Sequence, residues 1–258
     1  MENLHVTLIQ STLFWQDISA NLENFQKKID GIDSKTDIII LPEMFSTGFT
    51  MEPQKFAEKP GGKALSWMLN VAAVKSALII GSIAFKENEN YYNRLFAVHP
   101  DGKIEAYDKR HLFAMAGENK NYTAGKNKLI VDFKSWKIRP LICYDLRFPV
   151  WSRNQDDYDI LVYIANWPAT RNMHWKVLLQ ARAIENQAYV IGLNRVGKDG
   201  NDFPYSGDSM VYDPLGNLIT SIKPDEEKTE TICIEKIHLI KIRTALPFLS
   251  DKDSFTIL

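Results

Sequence analysis

Apolar and polar residues follow two different periods in the amino-terminal part of the chain. Apolar side chains recur at least every second position in 4–9, which predicts a strand. In 18–32 they recur at intervals of three or four, as on the buried face of an amphipathic helix. The β-branched run 38–41 ends at Pro42 and predicts a buried strand that stops there, because proline cannot donate a ladder hydrogen bond.

The rest of the chain continues this alternation of short apolar runs and helical patterns. Two further helices are predicted, at 64–76 and 174–186. Turn sequences at 100–102 (Pro-Asp-Gly) and 213–217 (Asp-Pro-Leu-Gly-Asn) predict hairpins. The additional predicted strands are 78–84, 92–98, 128–133, 136–143, 159–165, 189–194, 218–222 and 230–234. Hairpins give antiparallel pairs and strand–helix alternation gives parallel ones, so the pattern predicts an α/β fold with mixed sheets covered by helices.

The chain has 258 residues, enough for one large α/β domain or two small ones. Because no repeat, linker or low-complexity segment divides it, residues 1–258 are predicted to form a single domain. The last segment, 245–258, has mixed polarity. It is interpreted either as a tail that docks on a partner subunit or as a loose terminus.

Composition narrows the class of protein without identifying it. The chain carries 31 Lys and Arg against 32 Asp and Glu, a net charge of −1, so no bulk attraction to nucleic acid or anionic membranes is expected. Two cysteines, Cys143 and Cys233, argue against a disulfide framework and for a reducing compartment. No cationic segment followed by a long apolar one is seen at the start, and the apolar runs are too short to span a bilayer. The cytoplasm is therefore the expected location.

Three reactive side chains stand where predicted strands end. Glu43 follows 38–42, Cys143 follows the run 139–142, and Lys109 comes just after the strand that follows the first hairpin turn. Residues at strand ends converge on one crevice in layered α/β folds. A free thiol has a pKa of about 8.5, so a cysteine nucleophile needs a base or a cation. Glu43 can take the thiol proton, while Lys109 and the Tyr144 N–H can stabilise the oxyanion that forms on an attacked carbonyl.

Each of these residues also has a plain structural interpretation when it is taken alone. A cysteine at a strand end is often a small buried hydrophobe, a glutamate after proline often caps a turn, and a lysine in a charged segment is usually solvated. The functional hypothesis therefore depends on the three local contexts together.

Those contexts resemble the nitrilase superfamily of carbon–nitrogen hydrolases, in the family's order and over nearly the whole chain. The blocks are Leu41-Pro42-Glu43-Met44-Phe45, Tyr107-Asp108-Lys109-Arg110-His111-Leu112-Phe113 and Ile142-Cys143-Tyr144-Asp145-Leu146-Arg147-Phe148-Pro149. The resemblance implies a four-layer α-β-β-α sandwich with two mixed β-sheets, paired into homodimers. It also implies a Glu43–Lys109–Cys143 catalytic triad, no cofactor and no metal. Glu118 matches a second family glutamate that positions the lysine and substrate, its alternative being a surface loop carboxylate; Ala116, before Gly117, is a small departure.

A finer resemblance is to the omega-amidase branch, which hydrolyses 2-oxoglutaramate and 2-oxosuccinamate to the 2-oxo diacids and ammonia. The segments that carry it are Ala165-Asn166-Trp167-Pro168-Ala169-Thr170-Arg171, His174-Trp175, Arg182-Ala183-Ile184-Glu185-Asn186-Gln187 and Gly207-Asp208-Ser209. Such substrates carry a carboxylate, which a guanidinium binds through two parallel hydrogen bonds.

Arg171 is the candidate for this carboxylate, with a surface loop arginine as the alternative interpretation. Arg147 is a second candidate, although its position also suits an ion pair with Asp145 or Glu185. Trp167 and Phe113 are candidate apolar walls of the pocket, and plain core packing is their alternative. Arg182 and Glu185 stand three apart on a helix, so an ion pair between them is expected.

Several other functions remain as alternatives. An N-carbamoyl amino acid hydrolase or a nitrilase would use the same triad, and a binding scaffold would keep the fold without catalysis. A Cys–His pair formed with His111 or His174 is a weaker alternative to the triad. The sequence contains no Gly-x-Ser-x-Gly elbow, Walker loop or Rossmann glycine fingerprint, and its five histidines and two cysteines show no metal-site spacing.

Overall fold

A computed structural model describes residues 2–155 and 157–257. The strands are β1 Leu4–Gln10, β2 Ile38–Ile40, β3 Leu78–Glu87, β4 Asn90–Val98, β5 Ile104–Asp108, β6 Val131–Phe133, β7 Trp136–Ile142, β8 Ile160–Ala165, β9 Tyr189–Asn194, β10 Val196–Lys198, β11 Pro204–Ser206, β12 Met210–Tyr212, β13 Leu218–Ser221 and β14 Lys228–Ile234. The α-helices are α1 Ile18–Asp30, α2 Pro53–Phe56, α3 Lys63–Lys75, α4 Glu118–Asn121, α5 Pro149–Ser152, α6 Asn172–Asn186 and α7 Lys236–Ala245. Short 3₁₀ turns cover Ala114–Ala116, Cys143–Arg147, Ala169–Arg171 and Phe248–Asp251.

Two six-stranded sheets form the centre of the molecule. Their strand orders are β14-β1-β2-β3-β4-β5 and β13-β12-β9-β8-β7-β6, and β10 and β11 form a separate hairpin. Strands β1, β2 and β3 pair in parallel, as do β7, β8 and β9, while β4 and β5 continue the first sheet antiparallel. Both sheets are therefore mixed, as the sequence pattern predicts.

Strand alternation divides the first sheet into two apolar faces. In β2, Ile38 and Ile40 belong to the large core cluster between the sheets, while Ile39 packs on the opposite side. That outer side is covered by α1 and α3, through residues such as Phe25 and Met68. Because successive side chains of a strand point to opposite faces, a continuous apolar run fills two cores at once.

The second sheet is covered on its outer face by α6. Trp175, Leu179 and Ala183, at helical spacing, join the cluster formed by the strands of that sheet. The order helix, sheet, sheet, helix confirms the four-layer α-β-β-α sandwich expected from the family resemblance. Among the helices that the structure describes, none combines the length and apolar character needed to traverse a lipid bilayer.

The elements that the pattern failed to predict are short or poorly buried. The pattern indicated β5 only as a hairpin strand without bounds, and it missed β12, the hairpin β10–β11 and the four-residue helices α2, α4 and α5. It also missed α7, which buries only Leu239 and Ile242. Of the segment 245–258, the structure describes all but the last residue. It contacts its own chain, through an ion pair of Lys252 with Asp157 and packing of Ile257 against the main core. Docking of this segment on a partner stays a prediction.

Candidate active site

A cavity of about 390 Å³ opens at the carboxyl ends of the central strands. Lys109 lies just after β5 and Cys143 just after β7, and both side chains line this cavity. The structure therefore brings together two reactive groups that are far apart in the sequence. The predicted apolar walls and cations, Phe113, Trp167, Arg147 and Arg171, all line the same cavity.

Cys143 begins a 3₁₀ turn directly after β7 and has a φ of 42°. This left-handed conformation costs a residue other than glycine about 1–3 kcal/mol, so the surrounding structure must hold it in place. The buried carboxylate of Asp145 does so from within the turn, because it accepts a hydrogen bond from the Ile142 N–H at 3.1 Å. The Cys143 side chain is 9% exposed, and Sγ lies 3.9 Å from the carbonyl oxygen of Asn166.

Lys109 joins two glutamates in a fully buried cluster. Its Nζ lies 2.8 Å from Oε1 of Glu43, and 3.0 and 2.9 Å from the two carboxylate oxygens of Glu118. The side chains of all three residues have no exposed surface. Glu118 thus lies where the family resemblance placed it, against the lysine, and its alternative as a surface loop carboxylate is wrong.

Two asparagines that the sequence analysis did not single out complete this cluster. Asn93, on β4, donates from Nδ2 to Glu43 at 2.8 Å and to Glu118 at 3.1 Å. Asn166, directly after β8, donates its backbone N–H to Oε2 of Glu43 at 2.8 Å. Asn93 lies inside an ordinary strand pattern and had no local signal. Asn166 lies in a segment used for the resemblance, but its chemistry was not recognised.

Burial and neighbouring charges both shift the pKa values of the site residues. Burial alone would lower the pKa of Lys109, but the carboxylates of Glu118 and Glu43 raise it, so the ammonium form is held. Burial raises the pKa of Glu118, which Lys109 partly offsets. The pKa of the Cys143 thiol is raised well above its usual range by burial and by the Glu43 carboxylate, against the opposing effect of Lys109. The resting thiol is therefore protonated and needs a base to react.

Neither histidine near the site forms a Cys–His pair. His111 binds Asp145 through Nδ1 at 2.8 Å and stacks on Phe148 at 3.7 Å. Nδ1 of His174 lies 3.2 Å from Nη2 of Arg147. Both imidazoles thus have partners other than the thiol, and the Cys–His alternative is not supported by this geometry.

Two arginines line the cavity, and each guanidinium lies over an aromatic ring. Arg171 is 5.5 Å from the centre of the Phe113 ring and Arg147 is 4.7 Å from that of Trp167. Within residues 2–155 and 157–257, neither guanidinium forms an ion pair with a carboxylate. The suggested ion pair of Arg147 with Asp145 or Glu185 is therefore wrong.

The two carboxylates suggested for Arg147 are engaged elsewhere. Asp145 binds His111 at 2.8 Å, and Glu185 pairs with Arg182 at 3.0 Å, as the spacing of three on the helix predicted. Both guanidinium groups at the cavity therefore remain available to an anionic ligand.

Tyr144 is the second residue of the 3₁₀ turn that Cys143 begins, and it also lines the cavity. The first N–H groups of such a turn have no partner within it. The Tyr144 N–H therefore needs no partner within the turn, and its role as an oxyanion donor stays a prediction.

Comparison with known proteins gives a consistent family. A family model described as carbon–nitrogen hydrolase matches residues 5–245. The chain is 46% identical to omega-amidase YafV of Escherichia coli K12 over 255 residues, 99% of each chain. It is 30% identical to the 2-oxoglutaramate amidase of Bacillus subtilis, covering 95% of this chain and 96% of that one.

A solved structure agrees with the fold. The protein XC1258 of Xanthomonas campestris, described as a CN-hydrolase superfamily protein with an arsenic adduct in its active site, superposes with a TM-score of 0.98. It is 39% identical, and the match covers 100% of both chains.

Proposed function

Since the chain belongs to the carbon–nitrogen hydrolase family, we propose that it is an omega-amidase. In this proposal it hydrolyses the terminal amide of 2-oxoglutaramate and 2-oxosuccinamate to the 2-oxo diacid and ammonia. The observation that carries the proposal is the buried Glu43–Lys109–Glu118 cluster at the same strand ends as the Cys143 thiol. Similarity to proteins named omega-amidase and 2-oxoglutaramate amidase supports the choice of substrate.

Acylation of Cys143 is the first half of the reaction. Because the thiol is protonated at rest, Glu43 takes its proton as the sulfur attacks the amide carbonyl. The Lys109 ammonium and the Tyr144 N–H stabilise the oxyanion that forms. When this intermediate collapses, the C–N bond breaks and Glu43 returns the proton to the leaving nitrogen, so ammonia departs and a thioester remains.

Hydrolysis of the thioester completes the cycle. Glu43 takes a proton from a water molecule, whose oxygen attacks the thioester carbonyl. Lys109 and the Tyr144 N–H again hold the oxyanion. As the C–S bond breaks, Glu43 returns its proton to the sulfur, which releases the acid and regenerates the thiol. Glu118 holds the Lys109 ammonium in place through two hydrogen bonds.

The carboxylate of the substrate binds an arginine at the cavity wall. Arg171 is our candidate and Arg147 the other, since each lines the cavity without a carboxylate partner among the described residues. Trp167 and Phe113 form apolar walls beneath these guanidinium groups. A short carbon chain fits between such walls.

Substitution of the nucleophile tests the proposal. Cys143→Ala is expected to abolish ammonia release from 2-oxoglutaramate while the circular dichroism spectrum and melting temperature stay near those of the unmodified protein. Cys233→Ala is the matched control, because this second cysteine is exposed on β14 and should leave turnover unchanged. Mass spectrometry with substrate should show an acyl adduct on Cys143 only.

Two outcomes would contradict the mechanism. If the Cys143→Ala variant still released ammonia, Cys143 would not be the nucleophile. Ligand binding by the unmodified protein, without adduct or product, would favour a binding scaffold instead. A panel of nitriles and N-carbamoyl amino acids, assayed for ammonia beside the 2-oxo acid amides, separates the omega-amidase from the two alternatives that share its triad.

We further propose that the protein is a homodimer that acts in the cytoplasm. An exposed apolar stripe on α6 supports the dimer, since Met173, Val177 and Ile184 stand at helical spacing and are 70, 53 and 52% exposed. Two free cysteines, which are typical of a reducing compartment, support the location. Residues 1–258 are proposed to act as one domain.

A further inference from the structure

A closed ring of hydrogen bonds joins the two buried glutamates. Oε1 of Glu43 accepts from Lys109 Nζ and from Asn93 Nδ2, both at 2.8 Å. Oε1 of Glu118 accepts from the same two nitrogens, at 3.0 and 3.1 Å. Donors and acceptors therefore alternate around the ring, in the order Glu43 Oε1, Lys109 Nζ, Glu118 Oε1 and Asn93 Nδ2. The asparagine has no part in the reaction steps proposed above.

Only one orientation of the Asn93 amide fits this ring. Both of its neighbours are carboxylate oxygens, which carry no hydrogen when ionised, so the nitrogen must face them. Oδ1 of Asn93 is buried and has no hydrogen-bond partner within residues 2–155 and 157–257. A buried acceptor left unpaired is costly. The fold tolerates this cost while both N–H groups of the amide stay on the carboxylates of Glu43 and Glu118.

The ring places the two oxygens of Glu43 in different surroundings. Oε1 has two close donors, which fill both acceptor sites of a carboxylate oxygen. Oε2 accepts the Asn166 N–H at 2.8 Å, whereas the side-chain nitrogen of Asn166 is 3.5 Å away, at the limit of a hydrogen bond. Among the donors that the structure describes, Oε2 thus has a single close one.

Cys143 lies on the side of this second oxygen. Burial, and after it the Glu43 carboxylate that hydrogen-bonds the thiol, raise the pKa of Cys143. Sγ is 3.9 Å from the carbonyl oxygen of Asn166, the residue whose N–H binds Oε2. Because Lys109 and Asn93 fill the acceptor sites of Oε1, Oε2 is the oxygen left for the thiol proton.

We propose that Asn93 is a positioning residue, which occupies Oε1 of Glu43 by closing the ring and so directs the Cys143 proton to Oε2. This inference rests on the proposed function and adds to it a residue and an atom of the base. In the step itself the S–H bond breaks, its electron pair stays on sulfur, and an Oε2–H bond forms. The Asn93 N–H groups also favour the ionised form of both glutamates, as the base requires.

Alkylation of Cys143 tests this role without an amide substrate. We would follow the reaction with iodoacetamide over a series of pH values by peptide mass spectrometry. Sulfur displaces iodide and its proton goes to Glu43, so the rate falls at acid pH, where Glu43 is protonated. Asn93→Ala removes one donor from each carboxylate and favours the protonated carboxyl. This acid limb is therefore expected to move up by about one pH unit, the size of one hydrogen bond to a charged group.

The amide reaction provides a second measurement. In Asn93→Ala, kcat/KM for 2-oxoglutaramate is expected to fall about tenfold or more, mainly through kcat, because the base and not the substrate pocket is disturbed. The acid limb of its pH profile should move in the same direction as that of the alkylation rate.

Two controls separate the role in proton transfer from a role in stability. Cys233, exposed on β14, is alkylated in the same samples, and its pH profile should not move. Asn154→Ala is the matched variant, because Asn154 is buried and its Nδ2 donates to two backbone oxygens, both at 3.0 Å. It should lower the melting temperature as Asn93→Ala does and leave the acid limb of Cys143 in place.

Asn93→Asp keeps the size of the side chain and replaces Asn93→Ala if that variant does not fold by circular dichroism. The new carboxyl donates to the ring only while it is protonated. Alkylation of Cys143 and amide turnover are therefore expected to fall as the pH rises through the pKa of this group, a loss that the unmodified protein does not show.

The outcomes separate this inference from the proposed function. An acid limb that moves in Asn93→Ala and not in Asn154→Ala supports the positioning role. An unmoved limb, even with a lower rate, overturns it and leaves Asn93 as a structural residue, as does an Asn93→Asp profile like that of the unmodified protein. If the unmodified protein releases no ammonia from 2-oxoglutaramate while the alkylation limb still moves in Asn93→Ala, the proposed substrate is wrong and the role of Asn93 stands.

Discussion

At the scale of single residues, the site depends on charges that are buried and paired. Lys109 is surrounded by Glu43 and Glu118, and the side chains of all three have no solvent exposure. A buried ammonium is tolerated only when close carboxylates offset its desolvation, and removing one partner leaves an uncompensated charge. Asn93 donates to both carboxylates and so stabilises the cluster, whose net charge is negative when both are ionised.

The motif residues could be predicted because their local sequences carry information, while their partners could not. Glu43, Lys109 and Cys143 each stand in a block of several matching residues. Asn93 lies among ordinary strand residues. The role of Asn166 becomes visible only in the tertiary structure, where its side chain binds Glu43. A hydrogen-bond partner far away in sequence leaves no trace in a local pattern, which explains why both were missed.

The carboxylate anchor gives a prediction at this scale. Arg171→Ala is expected to raise KM for 2-oxo acid amides about tenfold or more, because a charged hydrogen-bonded pair is lost, while kcat changes little. Neutral amides of similar length should be much less affected. Steady-state ammonia assays on both substrate classes measure the difference. Arg171→Lys shows whether a positive charge, without the planar guanidinium, is enough to bind the substrate carboxylate.

Arg147→Ala is the comparison for that experiment. If it, and not Arg171→Ala, weakens the anionic substrates selectively, Arg147 is the anchor. If a substitution affects charged and neutral amides equally, the replaced arginine is not the anchor of the substrate carboxylate.

At the scale of elements, the turn after β7 is held by one carboxylate. Asp145 accepts hydrogen bonds from Tyr107 Oη at 2.7 Å and from the His111 N–H and ring at 3.1 and 2.8 Å. It also accepts from the Ile142 N–H, next to Cys143. Since Tyr107 and His111 stand two residues on either side of Lys109, this carboxylate fixes the lysine segment relative to the nucleophile turn.

Replacement of this carboxylate is therefore expected to affect stability and catalysis together. Asp145→Asn keeps one acceptor oxygen and replaces the other with an N–H₂ group, leaving buried donors unpaired. We expect the free energy of unfolding to fall by about 1–3 kcal/mol and kcat to fall more than KM rises. Urea unfolding and steady-state kinetics measure the two effects.

An exposed aspartate provides the control. Asp132, on β6, is exposed, so Asp132→Asn should change the free energy of unfolding by no more than about 0.5 kcal/mol. Unchanged stability and activity in Asp145→Asn would show that the turn after β7 does not need this carboxylate.

At the scale of the whole molecule, two mixed sheets are packed face to face between helical layers. The apolar runs of β2 and β3 fill both the inter-sheet core and the core under α1 and α3. Burial on both faces accounts for their continuous apolar sequences. The outermost face of α6 remains apolar at Met173, Val177 and Ile184, and a second copy of the chain is the proposed cover.

A charge placed on that stripe tests the homodimer. The unmodified protein is expected to sediment with the mass of two chains, and Val177→Asp with the mass of one, because a buried unpaired carboxylate would oppose association. Val74→Asp is the control, since Val74 is 70% exposed on α3, in the opposite helical layer, and should leave the dimer intact. A monomeric unmodified protein, or a Val177→Asp variant that remains dimeric, would refute the proposed interface.

The sequence alone determined what is local or repeated: the long strands and helices, whose burial imposes a period, and the three reactive residues, whose neighbours form motifs. The tertiary structure decided which distant groups meet. Asn93 of β4 and Asn166, directly after β8, reach Glu43 only because the packing of the sheets brings them to the residue that follows β2. The two carboxylates suggested for Arg147 in the sequence, Asp145 and Glu185, bind other residues instead. The reason is physical: periodicity is encoded in neighbouring residues, whereas a hydrogen bond between strands depends on how the sheets pack.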